Sequence, residues 1–295
     1  METLERGGLA GCRILERGRN ARTGAAEALA LLLEGERPPG STPALALERT
    51  LPAIVEHRRL LQAVQREYAR VALFPGKVHG FDVGPNRAIR LGYPEDLLAR
   101  LPAAVRQSMC PAAFALPAAG IRAGEVVVDV GCGSGADALL ASEAAGPEGE
   151  VVGVDPTPEL LRKAAPAASA AGYRNVRFER GTAEDLPLPD AAADVVLANG
   201  VVNLLVADKE RALAEAFRVL RPGGRLVMAD VVVPSAASRA DRAVPARWAQ
   251  GLAGALPEGE VVEMVGAPGF EAVAVEARGD GLALFTARKP VERRV

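Results

Sequence analysis

Short apolar segments alternate with alanine-rich amphipathic segments over the second half of the chain. From about residue 124 onward, the apolar segments are VVVDV, VVGVD, VRFER, DVVLAN, RLVMADVVV, EAVAVEA and LALFTAR. Short apolar runs separated by helical patterns predict parallel strands that are joined by helices and buried on both faces. We therefore predict an α/β fold with a mostly parallel sheet.

The last two apolar segments have a different connection. Only ARGDG lies between them, and its Gly279-Asp280-Gly281 sequence favours a tight turn. A connection this short cannot hold a crossover helix, so we expect the two final strands to form an antiparallel hairpin.

The first half of the chain has helical rather than strand-like spacing. A helix is predicted at about Thr23–Glu36 and ends at the proline- and glycine-containing ERPPGSTP. Apolar residues then recur at helical spacing from Leu51 to Val71, and a second short helix is predicted around Pro94–Gln107. These patterns divide the chain into an extension (1–50), a helical lid or substrate-side segment (51–123) and the α/β domain (124–290).

Composition narrows the range of partners. The 295 residues are 49% hydrophobic and 24% charged, with a formal net charge of −2 and no basic block. We therefore expect neither a nucleic acid nor a membrane as partner. Three cysteines and two histidines without paired or metal-ligand spacing argue against a disulfide framework and a metal site. The first twenty residues lack the apolar core of a signal peptide, so a cytoplasmic location is expected.

The strongest chemical motif is the glycine cluster in VVDVGCGSG. A glycine-rich turn between the first strand and its helix lets the backbone approach a ligand, either a dinucleotide or a methyl donor. Asp129 distinguishes these ligands, because its carboxylate would repel a pyrophosphate but attract the sulfonium and ammonium groups of S-adenosylmethionine. Asp155, at the end of the second strand, suits the ribose hydroxyls of either cofactor.

Several segments resemble the successive motifs of class I S-adenosylmethionine-dependent methyltransferases. They are VVDVGCGSG, GVDPTPELL, GTAEDLPLPDAAADVVLANGVVNLL and RVLRPGGRLVMADV, over roughly 124–290. Two further segments, RAIRLGYPEDLLARLP and ANGVVNLLVADKERALAEAFRVLRPGGRL, resemble the arsenite methyltransferase group and extend the likeness back to about residue 60. The resemblance implies a Rossmann-like, seven-stranded, mostly parallel sheet with an antiparallel last strand and helices on both faces.

The resemblance also implies a role for particular residues in binding the cofactor S-adenosylmethionine. The methionine end would be bound by Asp129, Gly131, Cys132, Gly133 and Gly135, and the ribose by Asp155 with Pro156 beside it. The adenine would contact Thr182 and Ala183, and Asn199 would lie where the methyl group is exposed. Cys132 is expected to act as a small packing residue with a backbone contact and not as a nucleophile.

The acceptor side departs from the arsenite methyltransferase pattern. That group holds trivalent arsenic through cysteine thiolates from separate segments. This chain has Gly200 and Gly251 at two of those positions, and only Cys110 matches the third. We therefore expect another small-molecule acceptor, bound near Tyr93 and Trp248 in the space that the two glycines open.

Three alternatives stay open at this point. The chain could methylate thiol-bound arsenic that Cys110 alone holds, it could bind S-adenosylmethionine without catalysis, or it could be a nucleotide-dependent oxidoreductase. Arg221, Pro222, Gly223 and Gly224 are expected to form a structural turn between a helix and a strand.

Overall fold

A computed structural model of the chain describes residues 43–206, 208–279 and 281–291. The chain divides into two compact units, residues 1–59 and 60–295. A long helix, α1 (Pro43–Leu73), includes the last part of the first unit and the start of the second. The predicted boundary between residues 50 and 51 falls within this helix, and the helix predicted at Thr23–Glu36 lies outside the described residues.

A seven-stranded sheet forms the centre of the second unit. Its strands are β1 (Val126–Val130), β2 (Glu150–Asp155), β3 (Val176–Arg180), β4 (Ala193–Asn199), β5 (Leu220–Val231), β6 (Glu271–Gly279) and β7 (Leu282–Arg288). The strand order is β3-β2-β1-β4-β5-β7-β6. The first five strands are parallel, whereas β7 pairs antiparallel with both β5 and β6. This arrangement confirms the predicted α/β class and the terminal hairpin.

Helices surround the sheet. They are α2 (Pro85–Arg90), α3 (Glu95–Arg100), α4 (Ala103–Arg106), α5 (Leu116–Ala119), α6 (Ala136–Ala145), α7 (Pro158–Ala170), α8 (Lys209–Val219), α9 (Arg239–Arg242), α10 (Pro245–Ala249) and α11 (Glu258–Gly266), with a 3₁₀ turn at Val202–Leu204. The single helix predicted around Pro94–Gln107 is wrong. Leu101 precedes Pro102 and is extended, with ψ near 139°, because a residue before proline disfavours the helical region.

The two sides of the central strands are buried in separate clusters, as alternation along a strand requires. Val128 and Val152 belong to the cluster that contains residues of α8 and α11. Their neighbours Val127 and Val151 belong to the cluster that contains residues of α5 and α6. The continuous apolar sequence of these strands therefore reflects burial on both faces.

The turn predicted at residues 221–224 interrupts a strand. Ala193 of β4 pairs with Leu220 of β5, and the next paired residues are Val195 and Arg225. Residues 221–224 of β5 therefore lie opposite the single residue Asp194 of β4. These four residues lie inside β5 and not before it, because pairing with β4 already begins at Leu220. In the part of the chain that the structure describes, no helix combines the length and apolar character needed to cross a membrane.

Candidate functional site

A cavity lies at the carboxyl edge of the sheet, where ligands of open α/β sheets bind. Side chains of α1, the segment 108–111, the turns after β1, β2 and β3, and the loop after β4 line it. Nine of the ten predicted cofactor residues are brought together there: Asp129, Gly131, Cys132, Gly133, Asp155, Pro156, Thr182, Ala183 and Asn199. Thus residues separated by 70 positions in the sequence share one site.

The three glycines after β1 have different surroundings. A Cβ atom at Gly133 would meet no atom within 4 Å, so this stretch of backbone is open to a close approach from the cavity. A Cβ at Gly135 would lie 2.7 Å from the ring of Phe178, and Gly135 does not line the cavity. The prediction that Gly135 contacts the cofactor is therefore corrected, because its missing side chain leaves room for Phe178 of β3 beside the start of α6.

Asp155 joins the end of β2 to the glycine turn. Its buried carboxylate accepts hydrogen bonds from the Gly133 N–H, at 2.9 Å, and from the Thr157 N–H, at 2.8 Å. Burial raises the pKa of this carboxyl group, and the hydrogen bonds from Thr157 and Gly133 oppose that rise. Because a carboxylate has about four acceptor positions, Asp155 keeps capacity for ribose hydroxyls.

Two further acids line the same cavity: Asp129, which is buried, and Asp137, which is half-buried. Burial raises the pKa of Asp129 well above its usual value, and the charges of Asp137 and Asp155 raise it further. Burial also raises the pKa of Asp137, against the hydrogen bonds that Tyr93 and Asn199 donate. Because no lysine or arginine is among the described residues of the lining, these carboxylates make this end of the cavity suited to a positively charged ligand.

Asn199 connects the end of β4 to α6 and to the segment before β1. Its Oδ1 atom accepts from the N–H groups of Ala112 and Ala113, at 2.8 and 3.1 Å. Its Nδ2 atom donates to Asp137 Oδ2 at 2.7 Å and to the carbonyl oxygen of Ala113 at 2.8 Å. Asn199 therefore lines the cavity, as its predicted location requires, while its amide holds the surrounding backbone in place.

Tyr93, predicted on the substrate side, lies behind the cavity wall. Its ring is buried, and its hydroxyl group donates to Asp137 Oδ1 at 2.7 Å. It is not among the residues that line the cavity. Because Asp137 and Asn199 both contact this hydroxyl, Tyr93 supports the site from outside.

Trp248 and Gly251 also lie outside the cavity lining. Trp248 packs in an apolar cluster with Leu60 and Val64 of α1, and its Nε1–H donates to the carbonyl oxygen of Arg242 at 2.7 Å. A Cβ at Gly251 would lie 2.3 Å from Nδ2 of Asn203. The expectation that Gly251 opens space for an acceptor is therefore wrong, because the Asn203 side chain fills that space.

Cys110 and Gly200 do line the cavity, on adjacent segments. A Cβ at Gly200 would lie 3.7 Å from the carbonyl oxygen of Cys110, which is ordinary van der Waals contact. Burial raises the pKa of the Cys110 thiol to about 12, so the thiol is protonated at neutral pH. Cys132 is also buried with its pKa raised, which fits a packing residue and not a nucleophile.

Sequence reasoning missed several residues of the site. Asp137 follows the glycine turn in SGAD, and its place in the first turn of α6 was the available indication. Tyr68 of α1 stacks on Phe81 with ring centroids 5.7 Å apart and also lines the cavity. Leu204 and Leu205 line it from the loop after β4, where an apolar sequence could not be distinguished from core.

Comparisons with known proteins give a consistent result. Residues 121–264 match the family described as a methyltransferase domain. The arsenite methyltransferase of Halobacterium salinarum is 37% identical over 194 residues, which are 65% of this chain and 48% of that protein. The ubiquinone/menaquinone biosynthesis C-methyltransferase of Hahella chejuensis is 39% identical over 124 residues, which are 41% of this chain and 49% of that protein. The chain thus spans about half the length of these curated relatives.

A solved structure extends the likeness to three dimensions. The arsenic(III) S-adenosylmethionine methyltransferase of Chlamydomonas reinhardtii superposes with a TM-score of 0.57 at 31% identity. The match covers 68% of this chain and 74% of that one.

Proposed function

Because this chain belongs to the class I S-adenosylmethionine-dependent methyltransferases, close to the arsenite methyltransferase group, we propose that it methylates a small molecule other than free arsenite. The exclusion of free arsenite rests on the backbone conformation of Gly200 and Gly251, which occupy two positions where cysteines are expected. Gly200 has φ of +75° and Gly251 has φ of +78°. This left-handed region favours glycine and disfavours a residue with a side chain.

The residues at the cavity fit S-adenosylmethionine. The acids Asp129 and Asp137 line the cavity and would face its ammonium group, and Asp155 would accept from its ribose hydroxyls. The open backbone at Gly133 leaves room for its methionine end, and Thr182 and Ala183 would border the adenine. When bound, S-adenosylmethionine supplies a methyl carbon that its sulfonium group has already activated.

The chain's own residues would mainly align the acceptor with the methyl group and exclude water from the site. The hydrogen bond between Gly133 and Asp155 fixes one end of the cavity. Asn199 holds the segment that contains Cys110 and Pro111 against the end of β4, through the N–H groups of Ala112 and Ala113. An acceptor held between this segment, α1 and the loop after β4 would lie in line with the methyl group. Such alignment can contribute about 7–11 kcal/mol to lowering a barrier, and no dedicated catalytic side chain is required.

Arsenite is a poor match for this acceptor side. A thiol at position 251 would need Asn203 to move, and Cys110, the remaining thiol, has its pKa raised to about 12. Trivalent arsenic is thiophilic, and the arsenite methyltransferase pattern offers it several cysteine sulfurs from separate segments. A single thiol therefore cannot replace a three-thiolate cage. The likeness to a C-methyltransferase of quinone biosynthesis favours an organic acceptor instead.

The decisive experiment supplies purified protein with arsenite, glutathione and S-adenosylmethionine. Mass spectrometry would quantify methylated arsenicals, with Cys110→Ser and a reaction without enzyme as controls. We expect no methylarsenical above the reaction without enzyme. Arsenic methylation at the rate of a three-cysteine relative, lost in Cys110→Ser, would refute this proposal. A parallel screen of organic acceptors for S-adenosylhomocysteine formation tests the methyltransferase activity itself.

A further inference from the structure

The charged residues that line the cavity all have the same sign. They are Asp129, Asp137, Asp155 and Glu184, and all four are acids. They come from β1, α6, the end of β2 and the loop after β3, the regions proposed to hold the cofactor. No lysine or arginine is among the described residues that line this cavity.

Part of the remaining lining, which we call the acceptor wall, is uncharged and mainly apolar. It consists of Val64, Tyr68, Cys110, Val201, Leu204 and Leu205. Val64 packs in one cluster with Tyr68 and Leu204, and Leu205 packs against the cluster that contains Val201. The wall is therefore formed by residues of α1, the segment 108–111 and the loop after β4.

The polar groups of the acceptor wall carry no charge near neutral pH. Burial raises the pKa of Tyr68 well above its usual value, and burial raises that of Cys110 to about 12. Both groups therefore remain protonated. The Cys110 thiol lies 3.7 Å from the carbonyl oxygen of Ser108. The side chains of the wall can offer an acceptor a hydrogen bond but no counter-charge. The Arg87 guanidinium, whose charge opposes the rise in the Cys110 pKa, lies outside the lining and donates to the carbonyl oxygen of Pro111.

Resting on the proposed function, we infer that the acceptor is a neutral, mainly apolar small molecule and not one that carries a carboxylate, phosphate or sulfonate group. An anionic acceptor would lose its hydration against an apolar wall and share the cavity with four acids, without a lysine or arginine among the described lining residues to pair with it. A cationic ammonium group has no electron pair to accept a methyl group. A neutral apolar acceptor avoids both costs and buries the exposed apolar wall.

The chemistry balances for a simple probe of this class, phenylmethanethiol, whose alkyl thiol is mainly protonated at neutral pH like that of free cysteine. The thiol sulfur forms a bond to the methyl carbon while the carbon–sulfur bond of the donor breaks. The electron pair of that bond stays on the donor sulfur, which becomes neutral, and the thiol proton passes to solvent. The products are benzyl methyl sulfide and S-adenosylhomocysteine.

The test compares phenylmethanethiol with 4-(sulfanylmethyl)benzoate, which differ by one carboxylate group. Calorimetry with S-adenosylhomocysteine is done first, because a protein that does not bind it refutes the proposed function and not the substrate class alone. Binding and kcat/KM are then measured for both probes. We expect phenylmethanethiol to be favoured at least tenfold. Equal use of both probes, preference for the carboxylate, or binding of neither by a protein that binds S-adenosylhomocysteine would overturn the inference.

A charge at the cavity mouth provides a matched test. Leu61 lines the cavity and is 38% exposed, so Leu61→Arg should fold. We expect this variant to reduce the preference for phenylmethanethiol at least threefold, because the guanidinium group can pair with the carboxylate. Leu73→Arg places the same charge on the same helix, at a residue that is 61% exposed and outside the cavity lining, and should leave the preference unchanged. An unchanged preference in Leu61→Arg would contradict the assigned acceptor side.

Discussion

Asp155 combines a structural and a binding role at a single residue. Its carboxylate fixes the N–H groups of Gly133 and Thr157 and also faces the cavity. The first role follows from the contacts in the protein, and the second is proposed from the position at the end of β2. Substitution of Asp155 can be compared with substitution of Asp194, a carboxylate at the opposite end of the sheet. The comparison distinguishes an effect on the site from a general effect on the fold.

We expect Asp155→Ala to weaken S-adenosylmethionine binding by about 1.5–3 kcal/mol, since a charged acceptor for the ribose is lost and two N–H groups lose their partner. Isothermal titration calorimetry measures the effect. Asp194→Ala serves as the control, because Asp194 bonds Arg221 and the Val126 N–H near the start of β4. Unchanged affinity in Asp155→Ala would disprove the ribose assignment.

Gly133 and Gly135 should respond differently to the same substitution. In Gly133→Ala the new methyl group enters the cavity, so we expect at least a tenfold loss of cofactor affinity. In Gly135→Ala the methyl group meets Phe178, and overpacking adds about 1–3 kcal/mol of destabilisation. Urea unfolding and calorimetry on both variants distinguish the two effects. Full affinity in Gly133→Ala, or equal stability losses in the two variants, would contradict this distinction.

At the scale of elements, Asn199 joins β4, α6 and the segment before β1. Asn199→Ala leaves the Ala112 and Ala113 N–H groups without their acceptor, which should cost about 2–4 kcal/mol of unfolding free energy. Faster amide exchange at these two residues and weaker cofactor binding should accompany that loss.

Asn175 is the matched control for Asn199. Its Nδ2 atom donates to the carbonyl oxygens of Ser142 and Gly146, and Asn175 does not line the cavity. Asn175→Ala should therefore lower stability without changing cofactor affinity. If both variants bind S-adenosylmethionine like the native protein, Asn199 does not organise the site.

The burial of Asp129, at β1 beside α6, makes the stability of the protein depend on pH. Asp129 has its pKa raised by burial, so the folded protein binds more protons than the unfolded chain above about pH 3.9. The stability that this residue contributes to the ligand-free protein therefore falls as pH rises through the window between the unfolded and folded pKa values. Asp129→Asn removes this titration while it keeps the side-chain shape.

We expect the ligand-free Asp129→Asn variant to gain stability relative to the native protein as pH rises from 5 to 8. The same variant should bind S-adenosylmethionine more weakly, because the counter-charge for the ammonium group is lost. Thermal unfolding at three pH values, with and without the cofactor, measures both effects. A stability advantage that shrinks with rising pH would show that the carboxylate is not destabilised by burial.

At the scale of the whole molecule, cofactor binding should stabilise the folded state as a unit. A ligand present at 100 times its Kd adds about 2.7 kcal/mol. For the 236-residue unit 60–295, we expect the midpoint of thermal unfolding to rise by about 5–10 °C with S-adenosylmethionine. NADH at the same concentration should produce no shift. A shift with NADH alone would support the oxidoreductase alternative.

The sequence alone determined the features that depend on neighbouring residues. Apolar runs and tight-turn residues identified all seven strands and the final hairpin, because strand formation and turn geometry are local. The glycine turn, Asp129 and Asp155 were identifiable for the same reason, since the end of each strand lies at the carboxyl edge of a parallel sheet. Pro102 is equally visible in the sequence, and its restriction of Leu101 to extended backbone explains why no single helix spans Pro94–Gln107.

Only the tertiary structure decided which side chains meet. Tyr93 contacts Asp137 across 44 positions and Asn199 across 106, and no periodicity specifies such pairs. Gly135 accommodates Phe178, and Gly251 accommodates Asn203, so the same residue type that opens the cavity at Gly133 is a packing residue at these positions. Sequence pattern assigns a residue to an element and a face, whereas close packing between distant elements determines whether its surroundings are ligand, solvent or another side chain.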